Sequence, residues 1–248
     1  MKSTKWLSAI LIVLLLAIVT VYTISNFEET REIVTKFVKK FQEKKVIIPD
    51  YTKNHRYYVF TAVNETSNFE PHNIDDIKDI YYTVLNNGWD SFTFYCPKSY
   101  KKCVDDVREI AQSEENSYIA TINNYVSPFN VYKKYNTLII DDEEINLTVE
   151  KLYTDEEIKA INQKVDEYFT KNKIDTKNVT VKTIQKIHDY LLKNITYDVN
   201  YEKDNVITDS NKATGALFKG IALCSGYSDT FSIFLDKLNV PNFRVTTE

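Results

Sequence analysis

At 248 residues the chain can hold one large or two small domains. Its formal net charge of −4 lacks the concentrated basic surface that a phosphate backbone requires, so no nucleic-acid partner is expected. Tyrosine is plentiful at 18 residues, glycine is scarce at 4, and no internal repeat or low-complexity tract is visible, which places the chain among ordinary globular proteins.

Trp6 to Ile24 is an almost unbroken apolar run. As a helix it approaches the length of about 20 residues that a bilayer core requires. Lys2 and Lys5 precede it and Glu28 and Glu29 follow, so the positive-inside rule places the N-terminus in the cytoplasm and the bulk of the chain outside. The length of the run and the lack of a small-x-small pattern at its end favour an uncleaved anchor over a cleaved signal peptide. Residues 1–25 are thus expected to form a cytoplasmic tip and a transmembrane helix, with membrane contact through residues 6–24. Residues 26–50 read as an amphipathic helix and linker. Its stripe is Ile33, Val34, Phe37, Val38 and Phe41, and it serves either as a stalk or as a helix packed on the rest of the chain.

Residues 51–153 read as a small α/β region. Tyr57 to Thr61 and Ser91 to Tyr95 have strand composition. Asn73 can cap a helix that buries Ile74, Ile77, Ile80, Tyr81 and Val84 and stops at Asn87-Gly88. A second helix is expected from about Tyr100 to Gln112, burying Val104, Val107 and Ile110, and a loop from Asn123 to Phe129. Thr137 to Ile140 and Ile145 to Val149 flank an acidic turn as a hairpin. No motif here carries chemistry; the region is either a substrate- or wall-binding module or a scaffold packed against the C-terminal part of the chain.

Thr154 and Glu157, three apart, form a capping box that opens a helix with Ile158, Ile161, Val165, Tyr168 and Phe169 on its apolar face. Another helix spans about Val181 to Lys193, with Ile184, Ile187, Leu191 and His188 facing inward. Near the end, Tyr227, Phe231, Phe234, Leu235 and Leu238 follow Cys224 at helical spacing. That places Cys224 on the same face, in the first turn, where amide N–H groups without intrahelical partners favour an anionic sulfur. Ser225 and Gly226 are expected to leave room beside it. The alternative is a cysteine serving as a small apolar core residue. Asn242 to Thr247 reads as one further strand.

The residues from Ile184-Gln185-Lys186-Ile187-His188-Asp189 through Asn194-Ile195-Thr196-Tyr197-Asp198, then Ala213-Thr214-Gly215-Ala216-Leu217-Phe218-Lys219-Gly220 and Cys224-Ser225-Gly226-Tyr227, resemble the bacterial transglutaminase-like superfamily. Its core is shared with papain-like cysteine proteases. The resemblance covers roughly the last third of the chain and rests on the order and spacing of its pieces. It implies that Cys224 is a nucleophile in acyl transfer on peptide or glutamine-type amides, with a peptide, protein or cell-wall substrate. It also implies that His188 is structural. The family completes its site with a histidine and an acidic residue on later strands, and no histidine follows Cys224. By resemblance, residues 154–248 are a C-terminally incomplete transglutaminase-like domain, impaired in catalysis, with the Cys224 helix open to a covering partner. The overall expectation is an α+β fold: a membrane helix, a small α/β region and the helical half of this domain. The second expectation is a non-catalytic, tethered binding or scaffold protein.

Of three cysteines, Cys96 and Cys103 are spaced to close a disulfide across a turn or to stand as two isolated thiols. If they pair, Cys224 is the odd thiol. His55 and His72 fall in loops and are expected to be solvated. The backbone N–H of Cys224 can serve as one oxyanion donor, and Tyr197 or Tyr201 as another. No cofactor is expected, and no cluster of metal ligands or calcium-site match is recognisable in the sequence.

Overall fold

The computed structural model describes residues 45–60, 63–112, 118–200 and 208–246, together with Thr20, Glu28, Glu29, Arg31, Glu32 and Thr35. The chain divides into two units, residues 1–45 and 46–248. In the first, the described residues from Thr20 to Thr35 are helical. The stripe expected for the amphipathic helix, Ile33 to Phe41, lies outside the described residues. Among the described residues no helix is long and apolar enough to cross a membrane. This corrects the expected transmembrane helix, and with it the placement of the bulk of the chain outside a membrane. Of the run from Trp6 to Ile24, all but Thr20 lies outside the described residues.

The second unit begins with an irregular segment and continues into α1 (Ile74–Asn86), β1 (Ser91–Tyr95), α2 (Cys103–Gln112) and the short α3 (Tyr118–Ile122). A 3₁₀ turn at Pro128–Asn130 leads to the hairpin of β2 (Tyr132–Ile140) and β3 (Glu144–Lys151). Next come α4 (Asp155–Lys171), α5 (Val181–Asn194), β4 (Thr196–Tyr197), a 3₁₀ turn at Asp209–Asn211, a π turn at Gly215–Lys219, β5 (Ile221–Ala222) and α6 (Cys224–Lys237). The three-stranded antiparallel sheet has the order β1-β3-β2; β4 and β5 form a separate parallel pair.

Local chemistry explains most boundaries. Asn73 Oδ1 accepts from the amides of Asp75 and Asp76 at 2.9 and 3.1 Å, which starts α1, and Gly88 at φ +65° ends it in a conformation that disfavours side chains with a Cβ. The Thr154–Glu157 box has both arms in place. The expected stripe of α1 underestimates its burial, because Tyr82, Thr83, Leu85 and Asn86 are buried beside it. This helix is the axis of the first apolar cluster, which also contains Phe92, Phe94, Val107, Ile119, Ile122 and Ile145. Each fully buried aliphatic or aromatic side chain there contributes about 1.5–3 kcal/mol. The second cluster joins Ile161, Val165, Tyr168 and Phe169 of α4 to Ile187 and Leu191 of α5 and Ile233 and Phe234 of α6.

Among the described residues two expected strands, Tyr57 to Thr61 and Asn242 to Thr247, do not form; Thr61 and Thr247 lie outside those residues. Residues 57–60 are irregular, and just before them the Arg56 backbone is held by a side-chain amide: Arg56 N–H donates to Asn86 Oδ1 at 3.3 Å and Asn86 Nδ2 donates to the Arg56 carbonyl at 3.0 Å. Residues 242–246 are irregular because Asn242 and Arg244 are committed to tertiary partners, Asp236 and Asp229 among them. The second helix begins at Cys103 rather than Tyr100, and α3 falls between the elements read from the sequence.

Candidate functional site

Cys224 is the first residue of α6, a 14-residue helix. Its cap residue, Leu223, is extended at φ −87° and ψ 177° and offers no capping side chain, so no side-chain cap covers the first-turn amides. Cys224 is a free, exposed thiol. Three pieces of backbone fix the place where α6 begins. In the β4–β5 pair, Thr196 N–H donates to the Gly220 carbonyl at 2.8 Å and Asp198 N–H to the Ala222 carbonyl at 3.0 Å. Gly220, at φ +65°, turns the chain into β5. Leu223 N–H donates to the Ser210 carbonyl at 2.7 Å, tying the cap to the turn before it.

That turn approaches α6 closely at Gly226. A Cβ there would stand 2.4 Å from the Ser210 carbonyl oxygen, so the glycine admits the 210–212 backbone. This corrects the expected role of Gly226 as room beside the sulfur. The buried face is also rotated from the expected one. Gly226, Asp229, Thr230, Ser232, Ile233, Phe234 and Leu235 are buried, Tyr227 and Phe231 are half-buried, and Cys224 is outside. Phe234 is covered by α4 and α5, with ring centroids 5.3 Å from Tyr168, 5.7 Å from Phe169 and 6.2 Å from Tyr190. Helices therefore cover this side, not the trailing strands that the resemblance implies.

The polar side of α6 was not read from the sequence. Asp229 is buried; its Oδ2 accepts from the Tyr153 hydroxyl at 2.8 Å and its Oδ1 from Arg244. The Tyr153 oxygen in turn accepts the Ala213 N–H at 2.8 Å, which links the turn before β5 to the middle of α6. Burial pushes the Asp229 carboxyl upward, opposed by Arg244 and by the Tyr153 hydrogen bond. Burial also holds Tyr153 well above the usual phenol range, so it remains a donor. One turn or two further on, Ser232 and Asp236 meet Arg56, whose Nη2 donates to Ser232 Oγ at 2.6 Å and Asp236 Oδ2 at 2.9 Å. Tyr58 and Asn242 donate to Asp236 Oδ1 at 2.8 and 2.9 Å. The available signal was the helical spacing of Asp229, Ser232 and Asp236 within an otherwise apolar helix.

Of the other residues singled out in sequence, Tyr197 is half-exposed on β4, paired with Ala222 two residues before Cys224. Tyr201 lies outside the described residues. Cys96 and Cys103 are joined by a disulfide and are buried. His188 is exposed and does not face inward. Its Nδ1 lies 3.2 Å from Asp189, and its ring lies 6.3 Å from that of Phe231. Phe231 is seven residues along α6 from Cys224, about 10 Å at the rise of an α-helix. His188 thus stands beside a later turn of α6 and not at the sulfur. His55, expected to be solvated, is largely enclosed, with Nδ1 3.1 Å from Asn87 Oδ1 and 3.7 Å from Glu65. His72 is exposed beside Asp76. A cleft of about 420 Å³ bounded by His55, Tyr57, Phe129, Ile233 and Lys237 opens toward the other end of α6, about 20 Å along the axis from Cys224. Among the described residues no group of three or more His, Cys, Asp or Glu side chains can hold a metal ion.

The arrangement presents an accessible thiol at a helix start held by buried polar bonds, with no imidazole in contact with it among the described residues. Comparison with protein-family models and with curated proteins finds no match to this chain, so the transglutaminase-like resemblance remains a likeness of residues.

Proposed function

We propose that Cys224 is the nucleophile of an acyl-transfer centre acting on peptide or glutamine-type amides, as in transglutaminase-like proteins. The observation that carries this reading is the exposed free thiol at the first position of α6, under first-turn amides that no side chain caps. In the step, Sγ bonds to the amide carbonyl carbon, the C–N bond breaks, and the thiol proton leaves with the amine. The thioester then passes its acyl group to water or to a second amine. First-turn amides stabilise the negative charge that develops on the carbonyl oxygen. They do not shuttle the proton, and none of the chain's three histidines contacts Cys224, so slow amide turnover is expected.

The second reading, a non-catalytic binding or scaffold protein, is favoured by the engagement of those histidines elsewhere. Acylation by an activated ester separates the two, because such a leaving group needs no protonation. Mass spectrometry should find one acyl group on Cys224 of the native chain and none on the Cys224→Ala variant. Amine incorporation into a glutamine peptide should depend on the same residue. Acylation of Cys224 no faster than of glutathione, with no Cys224-dependent amine incorporation, would leave the binding or scaffold reading.

A further inference from the structure

A groove of about 460 Å³ runs beside β2, between that strand and the second half of α2. Six consecutive residues, 132–137, line it, together with Arg108 and Ala111. A bulge lies between Tyr132 and Lys134; beyond it successive side chains point to opposite faces, so a groove touching 134–137 in succession lies along the backbone edge of the strand and not on one face. In the sheet order β1-β3-β2, β2 has β3 on one side only. Among the described residues, no backbone or side-chain group outside β3 bonds to the backbone of residues 134–139. Among the described residues its outward N–H and C=O groups are therefore without partners, the arrangement that strand addition uses.

The charge of this edge selects its occupant. Arg108, Lys133 and Lys134 line the groove, and among the described residues no carboxylate does, in a chain whose net charge is negative. Arg108 is paired with Asp105 and Asp142 at 3.1 Å, and Lys133 with Glu150 at 2.8 Å. These pairs are at the surface, where ion pairs are weak and exchangeable. On the solvent face, Lys134 is followed four residues later by the exposed Leu138. We infer that the β2 edge takes an extended acidic peptide from a partner protein as a fourth strand. An acidic side chain of that strand sits beside Lys134, and an apolar one beside Leu138. Lysines on an edge work against pairing with a second copy of the same edge, which argues for a partner of opposite charge.

The test uses the whole chain and a fluorescently labelled peptide of alternating glutamate and valine, read by anisotropy. Two comparison peptides replace glutamate by lysine or carry N-methyl groups at alternate amides. The acidic peptide should bind, and both comparison peptides should bind at least tenfold more weakly. The double variant Lys133→Glu/Lys134→Glu should weaken binding by tenfold or more, and a circular dichroism melt will show whether it stays folded. Independently, backbone amide NMR shifts in the native chain should move at residues 132–139. Equal binding of the N-methylated peptide would reduce the effect to charge attraction and overturn strand addition. So would shifts that map elsewhere, or a concentration-dependent dimer that the peptide does not dissociate.

Discussion

Arg56 and Asp236 are 180 residues apart in sequence and 2.9 Å apart in space. The Arg56 side chain is 2 % exposed, and its donors reach Asp236, Ser232, Asn242 and the Tyr125 carbonyl. One guanidinium thus fastens the irregular segment before α1, the turn after α3, α6 and the C-terminal segment. Burial, with the Asp236 carboxylate adding to it, pushes the Tyr58 hydroxyl well above the usual phenol range and keeps it a donor in the same cluster. Arg56→Ala leaves the Asp236 carboxylate without its cation, which costs about 3–5 kcal/mol. Arg56→Lys keeps the charge and loses the fork, so it should restore only part of that loss. Urea midpoints of the three proteins check this, and an unchanged midpoint for Arg56→Ala would contradict it.

Tyr153 is the corresponding hinge of polar bonds near Cys224. Tyr153→Phe strands two groups at once, the Asp229 carboxylate oxygen and the Ala213 N–H. At about 1–3 kcal/mol for each unsatisfied buried group, a loss of roughly 2–6 kcal/mol is expected. Loosening of the turn that holds the start of α6 should also change the iodoacetamide reaction rate of Cys224 under native conditions. A variant with normal stability and normal thiol reactivity would show that these bonds hold nothing in place.

Asp209 supplies a pH dependence of defined sign. The Lys219 ammonium, bonded to it, holds its carboxyl below the usual carboxylate range, helped by Lys212 and Thr214. A carboxyl lowered in the folded state stabilises the fold at pH values above its unfolded value, and that stabilisation is lost as pH falls through the folded value. Asp209 is partly exposed, so solvent screening limits the contribution to no more than about 1 kcal/mol. The stability difference between the native chain and Asp209→Asn should be constant near neutrality and shrink between about pH 4 and pH 2. A difference that grows on acidification would reverse the assignment.

The three cysteines should separate cleanly by reactivity. Cys103 is fully buried and Cys96 nearly so, whereas Cys224 is exposed. In protein made in an oxidising compartment, alkylation under native conditions should label Cys224 alone, and the other two should react only after unfolding and reduction. A cross-link of this short sequence separation removes about 2–3 kcal/mol of unfolded-chain entropy, so the Cys96→Ala/Cys103→Ala variant should lose about that much stability. Finding Cys224 in a disulfide with either partner would remove it from consideration as a nucleophile.

Local rules sufficed where one residue's neighbours in sequence decide its conformation. The Asn73 cap, the Thr154–Glu157 box, the stop at Gly88 and the hairpin around residues 141–143 are short-range hydrogen bonds or backbone preferences, and each is visible in the chain itself. Helical spacing alone also placed Cys224 in the first turn of α6, although the bonds of the β4–β5 pair and of Leu223 to Ser210 fix where that turn begins. Which face of α6 is buried was not local. Apolar spacing selected Tyr227 and Phe231, but the approach of Ser210 to Gly226 and the pull of Arg56, Arg244 and Tyr153 on Asp236 and Asp229 rotate a polar line inward. Two segments that composition favours as strands, residues 57–60 and 242–246, are irregular and lie among the same long-range bonds. Asn86 holds the Arg56 backbone just before the first segment, and Arg244 in the second donates its N–H to the Asn124 carbonyl and its guanidinium to Asp229 and the Val126 carbonyl. A buried polar bond between residues 180 positions apart has no signature in periodicity, since its strength comes from desolvation by the surrounding fold, and only the tertiary structure supplies that surrounding.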